Sequence, residues 1–283
     1  MSYEEFFSLR EPPFSNTPDS RFYFESEQHA EAMMRLFHAI ETFKGLTVMV
    51  GDIGTGKTLL GRKVLDRLDP KRFEAALLVI VHSAITPSWL LRKIAFQLGV
   101  EEPSEDKGLI LTQIYDRLMK LYEESKQAVL LIDEANMLKN REIMEEIRGL
   151  LNLEVPERRL LSIILFGLPE LEESLALDEP LRQRVEMKFT LQPLSLEFTR
   201  AYIRYRLKIA GSNRSIFTPE AEGTVYSYSR GVPRLVNTIC DNALFESYLT
   251  KKEIVTPEIV GRVAMDLGFK QPSSPPRKQE VPT

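Results

Sequence analysis

Eight consecutive residues constrain this chain more than any other stretch: Gly51-Asp52-Ile53-Gly54-Thr55-Gly56-Lys57-Thr58. They follow the apolar run 46–50 and precede residues 59–68, which read as a helix. Strand, glycine loop and helix in that order, with the spacing G-x-x-x-x-G-K-T, predict a loop that wraps a phosphate chain. Gly51 and Gly56 let the backbone turn so that successive N–H groups point inward, and the helix beginning near Lys57 adds its positive end. The Lys57 ammonium can then reach the β and γ phosphates, and the Thr58 hydroxyl can hold Mg²⁺. The cradle so predicted runs from Gly51 through Asp52, Ile53, Gly54, Thr55 and Gly56 to Leu59. Its ligand is a nucleoside triphosphate.

The second half of the site is read at Asp133-Glu134, where the apolar run 128–132 ends. A carboxylate at that point faces the phosphate loop across neighbouring strands and can bind Mg²⁺, so Asp133 joins Thr58 as a metal residue. Glu134, one residue later, is placed to polarise the water that attacks the γ phosphate as a general base. An acidic strand end also caps helices in many proteins. Downstream of a phosphate loop in an alternating pattern, however, the pair points to hydrolysis rather than to binding alone.

The remaining pattern supplies the frame. Residues 75–81 and 160–166 are further apolar runs, and helices are expected over 27–43, 87–98, 109–126 and 141–153. Strands alternating with helices predict a parallel sheet covered on both faces, with ligands at the carboxyl ends of the strands. Trp89 falls on an apolar helical face and reads as core. From about Pro193 the alternation stops: 196–210, a segment opened by Thr218-Pro219-Glu220, 232–249, and one opened by Thr256-Pro257-Glu258 all read as helix. The expected domains are 1–192, an α/β nucleotide-binding domain with an extended N-terminal segment, and 193–269, a smaller all-α domain. A disordered tail, 270–283, follows, with four prolines and no apolar cluster. Residues 1–24, rich in Phe and Pro, are expected to lie extended across the surface of the α/β domain.

Composition limits the function classes. A net charge of −4 offers no bulk attraction for nucleic acid, and Arg62-Lys63 and Arg158-Arg159 read as solvated faces. The single cysteine, Cys240, excludes an internal disulfide and fits a reducing compartment; its neighbours make it a buried small hydrophobe. Residues 1–10 are acidic and lack the basic region of a signal peptide, and no apolar stretch reaches the roughly 18 residues of a membrane span. The expected location is cytoplasmic.

Taken together, the phosphate loop, the hydrophobic-DE strand and Gly231-Val232-Pro233-Arg234 in the helical region resemble the AAA+ ATPases, P-loop NTPases with a helical lid domain. More narrowly, the chain is similar to the ExeA/GspA-like branch associated with general secretion, pilus and exopolysaccharide systems. The resemblance rests on Pro13-Phe14, Pro18-Asp19, Phe22, Gln28-His29, Leu131-Ile132-Asp133-Glu134-Ala135, Asn152-Leu153-Glu154, Gly167-Leu168-Pro169-Glu170-Leu171 and Gly231-Val232-Pro233-Arg234-Leu235-Val236-Asn237. It implies ATP with Mg²⁺ as ligand and hydrolysis that drives assembly or remodelling of a secretion or envelope apparatus. It implies that Arg234 contacts the nucleotide phosphates in cis and that Arg184, with Arg182 as the alternative, reaches a neighbouring subunit's γ phosphate. The active form is then a homo-oligomer. Gln28 and His29 lie where the family's adenine-side contacts arise. Larger members carry a membrane span and a peptidoglycan-binding region; this chain shows neither, so a separate membrane-associated partner is expected to recruit it.

Two positions depart from the family pattern. His82-Ser83 stands where many members place an asparagine that restrains the catalytic glutamate, and Leu168 stands where the branch has a glutamine. Leucine cannot orient a water, so turnover is expected to be slow or partner-dependent, and a scaffold that binds nucleotide without turnover remains an alternative. The other alternative is a DNA-associated regulatory ATPase resembling the transposition ATPases, which share the fold.

Overall fold

The computed structural model describes residues 2–17 and 19–270. The expected disordered tail beyond Lys270, and Pro18 of the Pro18-Asp19 pair, lie outside them. The chain divides into two compact units, Glu25–Gln192 and Met1–Phe24 with Pro193–Thr283.

A one-turn helix, α1 (Tyr3–Phe6), opens the chain, and α2 (Glu27–Glu41) opens the larger unit. There β1 (Leu46–Gly51) runs into α3 (Lys57–Arg67), β2 (Phe73–Val79) follows, and α4 (Pro87–Gln97) and α5 (Lys107–Glu123) lead to β3 (Gln127–Asp133). Helix α6 (Arg141–Leu150), a two-residue pair β4 (Glu154–Val155) and β5 (Arg158–Arg159), and β6 (Leu161–Gly167) come next. Short helices α7 (Leu171–Leu175) and α8 (Glu179–Arg182) precede β7 (Val185–Leu191). The five long strands form one parallel sheet in the order β2-β3-β6-β1-β7.

Sequence and topology agree strand by strand. β1, β3 and β6 are buried at every position, because helices cover both faces of a parallel sheet and leave no wet side. β7 lies at the edge, and its first six positions alternate between half-buried and exposed, matching Val-Glu-Met-Lys-Phe-Thr. That strand had no counterpart in the apolar-run reading, since an edge strand with a wet face carries no continuous apolar signal. β2 ends at Val79, two residues earlier than expected, so His82 and Ser83 sit beyond the sheet and are exposed. Two other expectations are corrected. Trp89 is only half-buried: one side packs on the core, while the ring meets His82 at 5.9 Å and lines a groove of about 300 Å³ with Arg92, Lys93, Phe96 and Pro103. Arg158 is not a solvated charge, for its guanidinium lies 4.9 Å from the Phe43 ring centre and 5.0 Å from that of Tyr122.

The smaller unit is built on α9 (Leu196–Ile209), α10 (Pro219–Ser229), α11 (Pro233–Leu249) and α12 (Pro257–Asp266). Ser195 and Thr218 cap their helices through the side chain, and α10, α11 and α12 carry proline in the first turn, where its missing N–H costs nothing. The N-terminal segment belongs here rather than across the α/β surface. Phe7, Phe14 and Phe22 are buried with Ile203, Phe217, Val236 and Cys240. Arg206, itself buried, donates to the carbonyls of Pro13 (2.5 Å) and Ser15 (3.0 Å) and lies over the Phe22 ring. A proline-rich strap has few backbone partners of its own, and one guanidinium fork supplies the missing donors. Burial pushes the Cys240 thiol up, so it behaves as the small hydrophobe its surroundings predict.

Candidate functional site

The carboxyl ends of β1 and β3 bring several of the expected site residues together. The backbone leaves β1 at Gly51 and turns through two residues with left-handed dihedrals, Gly54 (φ 81°) and Gly56 (φ 105°). Gly56 is the N-cap of α3, and a side chain there would meet both an unfavourable φ and the His29 Nε2, 3.3 Å from an added Cβ. Thr55 locks the turn, its hydroxyl donating to the Asp52 carbonyl at 2.8 Å. The first N–H groups of α3 have no partner within the helix, and the helix dipole adds positive potential at that end. Lys57 is buried, its ammonium donating to the carbonyls of Gly51 (2.6 Å) and Asp52 (2.9 Å) inside the loop. Ile53 is exposed at the tip and Leu59 half-buried one turn on.

Across the sheet, Asp133 ends β3. Its Oδ2 accepts the Thr58 hydroxyl at 2.6 Å, and its Oδ1 accepts the Glu134 N–H at 2.9 Å. A hydroxyl and a buried carboxylate in contact make a hard-oxygen pair, the donor set Mg²⁺ takes when phosphates and water complete its shell. Among the described residues no cluster of three or more His, Cys, Asp or Glu could hold a metal by itself. Glu134 is half-buried and adopts a left-handed backbone (φ 56°, ψ 34°), which turns the chain sharply out of the strand.

Residues 41–175 match the AAA domain family. The chain is 38% identical over 250 residues to General secretion pathway protein A of Aeromonas hydrophila, covering 87% of this chain and 45% of that protein. Over most of its length the chain is similar to that protein, and its 41–175 stretch to AAA domains. It spans less than half the length of that relative. Solved structures share the fold at low identity. Aeropyrum pernix ORC2, in ADPNP–ADP complexes, matches with a TM-score of 0.68 at 15% identity, covering 90% of this chain and 71% of that one. The Drosophila ORC bound to DNA matches at 0.69 and 19%, covering 95% and 67%. The Thermotoga maritima RuvB branch migration motor matches at 0.58 and 16%, covering 86% and 70%.

The other expected site residues fall in several places. Gln28, at the start of α2, exchanges two hydrogen bonds with the Gln192 peptide: its Nε2 donates to the carbonyl (2.7 Å) and its Oε1 accepts the N–H (3.0 Å). His29 is buried behind the loop, with Nδ1 2.6 Å from the Ser26 hydroxyl. Burial pushes its pKa down, so the ring is neutral near pH 7. Both side chains brace the loop's surroundings. Arg184 follows α8 and is half-buried, whereas Arg182 is exposed and paired with Glu179 at 2.7 Å. Helix α8 is held from below by Asp178, which is buried, caps the Leu181 N–H at 2.8 Å and accepts Arg148 at 3.1 Å. Arg234 belongs to the helical unit, exposed in the first turn of α11. Among the described residues no helix is long and apolar enough to cross a membrane.

One residue of the site escaped the sequence reading. Asn136, two residues beyond Glu134, is buried, and its Oδ1 accepts the Leu168 N–H at 3.0 Å. The signal was available in the amide that directly follows Asp133-Glu134-Ala135.

Proposed function

We propose that this protein hydrolyses ATP with Mg²⁺ and uses the cycle to drive assembly or remodelling of a secretion or envelope apparatus. The observation that carries the reading is the 2.6 Å contact between Thr58 and Asp133, with Glu134 one residue on. In it, Thr58 and Asp133 hold the metal, which supplies positive charge to the phosphates; Lys57 and the loop N–H groups bind and orient the triphosphate. Glu134 removes a proton from the attacking water. The relative's name, General secretion pathway protein A, points to the pathway. The reading includes a cytoplasmic protein recruited to the membrane by a partner and working as a homo-oligomer, with Arg184 reaching the next subunit's site and Arg234 contacting phosphate.

A second reading, a DNA-associated regulatory ATPase, draws on the exposed groove of Trp89, Arg92, Lys93 and Phe96, which combines stacking surfaces with cations. Against it stands the net charge of −4. Measuring ATP turnover and particle mass together, with and without double-stranded DNA at two salt concentrations, separates the two. The secretion reading expects turnover and mass indifferent to DNA. Stimulation by DNA that fades with salt transfers the assignment to the second reading, whereas slow turnover indifferent to DNA keeps the first, with a protein partner still to be supplied.

Sharing of the site has its own test. Arg184→Ala and Lys57→Ala subunits are each expected to be inactive alone. Mixed in equal amounts, they are expected to recover about a quarter of the parent rate, the statistical share of interfaces pairing an intact loop with an intact arginine. Mixed assemblies of the parent's mass without recovery at any ratio would remove Arg184 from the site.

A further inference from the structure

We propose that Asn136 is a positioning residue for Glu134, supplying through the backbone of Leu168 the coupling between β3 and β6 that the leucine side chain cannot. The inference rests on the hydrolysis reading above. Glu134 holds a left-handed conformation, uncommon for a side-chain-bearing residue. It leads into a single 3-10 turn, Ala135–Met137, closed by the Met137 N–H to the Glu134 carbonyl at 2.9 Å. So short a turn does not fix its own orientation. Asn136, in the middle of that turn and only 5% exposed, reaches across to the end of β6 and accepts the Leu168 N–H.

The geometry around this contact is tight. A Cβ placed on Gly167 would lie 3.1 Å from the Asn136 backbone N, its Oδ1 and the Leu171 Cδ2 alike. The chain at the end of β6 is thereby pressed against the turn, and the register between the two strands (Ile132 beside Leu165) is carried past their last paired residues by the Asn136 side chain. Leu168 presents an apolar side chain where the family resemblance implies a glutamine, yet its backbone N–H donates to Asn136. The polar link between the two strand ends therefore survives, moved from side chain 168 to side chain 136. Its effect is on where the Glu134 carboxylate stands, not on phosphate binding.

Three measurements on the full chain test this. Asn136→Ala is expected to lower kcat at least about tenfold while the Kd for ATP stays within about twofold, and to speed amide hydrogen exchange at Leu168. Asn136→Gln, which keeps a carboxamide acceptor, is expected to hold kcat within about threefold of the parent. In a Glu134→Gln background, Asn136→Ala is expected to change the residual single-turnover rate by less than about twofold, because a residue acting through Glu134 has nothing left to position. Parent turnover in Asn136→Ala, unchanged exchange at Leu168, or an equal further loss in the Glu134→Gln background overturns the proposal. So does a loss that comes with weakened ATP binding and a lower Tm in both Asn136 variants, which marks a structural role. Turnover of Glu134→Gln at the parent rate overturns the assignment of Glu134 as base and this proposal together, whereas an active parent with an indifferent Asn136→Ala overturns this one alone.

Discussion

Lys57→Ala weakens ATP binding by about a hundredfold or more. The Lys57 ammonium is buried, and it sits inside the loop on the carbonyls of Gly51 and Asp52. A phosphate chain drawn into the same loop offers the ammonium anionic oxygens in place of neutral ones. Hydrogen bonds that involve a charged group are worth about 1.5–3 kcal/mol each, and an anionic phosphate adds a Coulomb attraction that a neutral carbonyl lacks. Two contacts to the β and γ phosphates therefore supply about 3 kcal/mol or more, and each 1.4 kcal/mol is about tenfold in affinity. A competing effect runs the other way. Alanine also strips the empty loop of its internal brace, which raises the starting state and masks part of the loss. That brace consists of two neutral-acceptor bonds, so the phosphate contribution remains the larger. Titration with a fluorescent ATP analogue, beside a thermal melt of the same samples, reads both quantities. ATP affinity equal to the parent's in a folded variant would sink the phosphate-loop assignment.

Local chemistry was legible in the sequence; long-range partnership was not. The strand–loop–helix around 51–58 and the acidic end of β3 could be read because each is encoded in a few adjacent residues with an apolar strand before them. The parallel sheet followed from largely apolar strands alternating with helices. The N-terminal aromatics were visible as residues that must be buried, but nothing local names Arg206 and Phe217 as their partners, with Arg206 lying 193 residues from Pro13. Arg158 failed for a similar reason: an arginine next to another arginine looks solvated until Phe43 and Tyr122 are brought to either side of it. Asn136 lies between these cases. Its position after the acidic pair was plain, but its meaning depends on Leu168, on a strand that folding places alongside.

Glu134→Gln is expected to leave ATP binding intact and to cut turnover by about a hundredfold to ten-thousandfold, the range that general-base removal covers. The substitution is a narrow one. Glutamine keeps the length and shape of the side chain, and its backbone N–H can still donate to the Asp133 Oδ1, the 2.9 Å contact that anchors the turn. It tolerates the left-handed dihedrals no worse than glutamate does, so the 3-10 turn and the Asn136 link to Leu168 are preserved. What disappears is the one group that can take a proton. The charge change reinforces the separation, because removing a carboxylate near the γ phosphate relieves like-charge repulsion and holds or tightens ATP binding. Asp133 cannot be altered with the same selectivity, since its carboxylate accepts the Thr58 hydroxyl with one oxygen and steadies the Glu134 backbone with the other. Equilibrium binding and single-turnover hydrolysis of Mg²⁺-ATP on the same preparation give the two numbers. An unchanged Kd with slow turnover leaves the variant held in its ATP state. Turnover at the parent rate would remove Glu134 as the base and place the proton's acceptor elsewhere in the site.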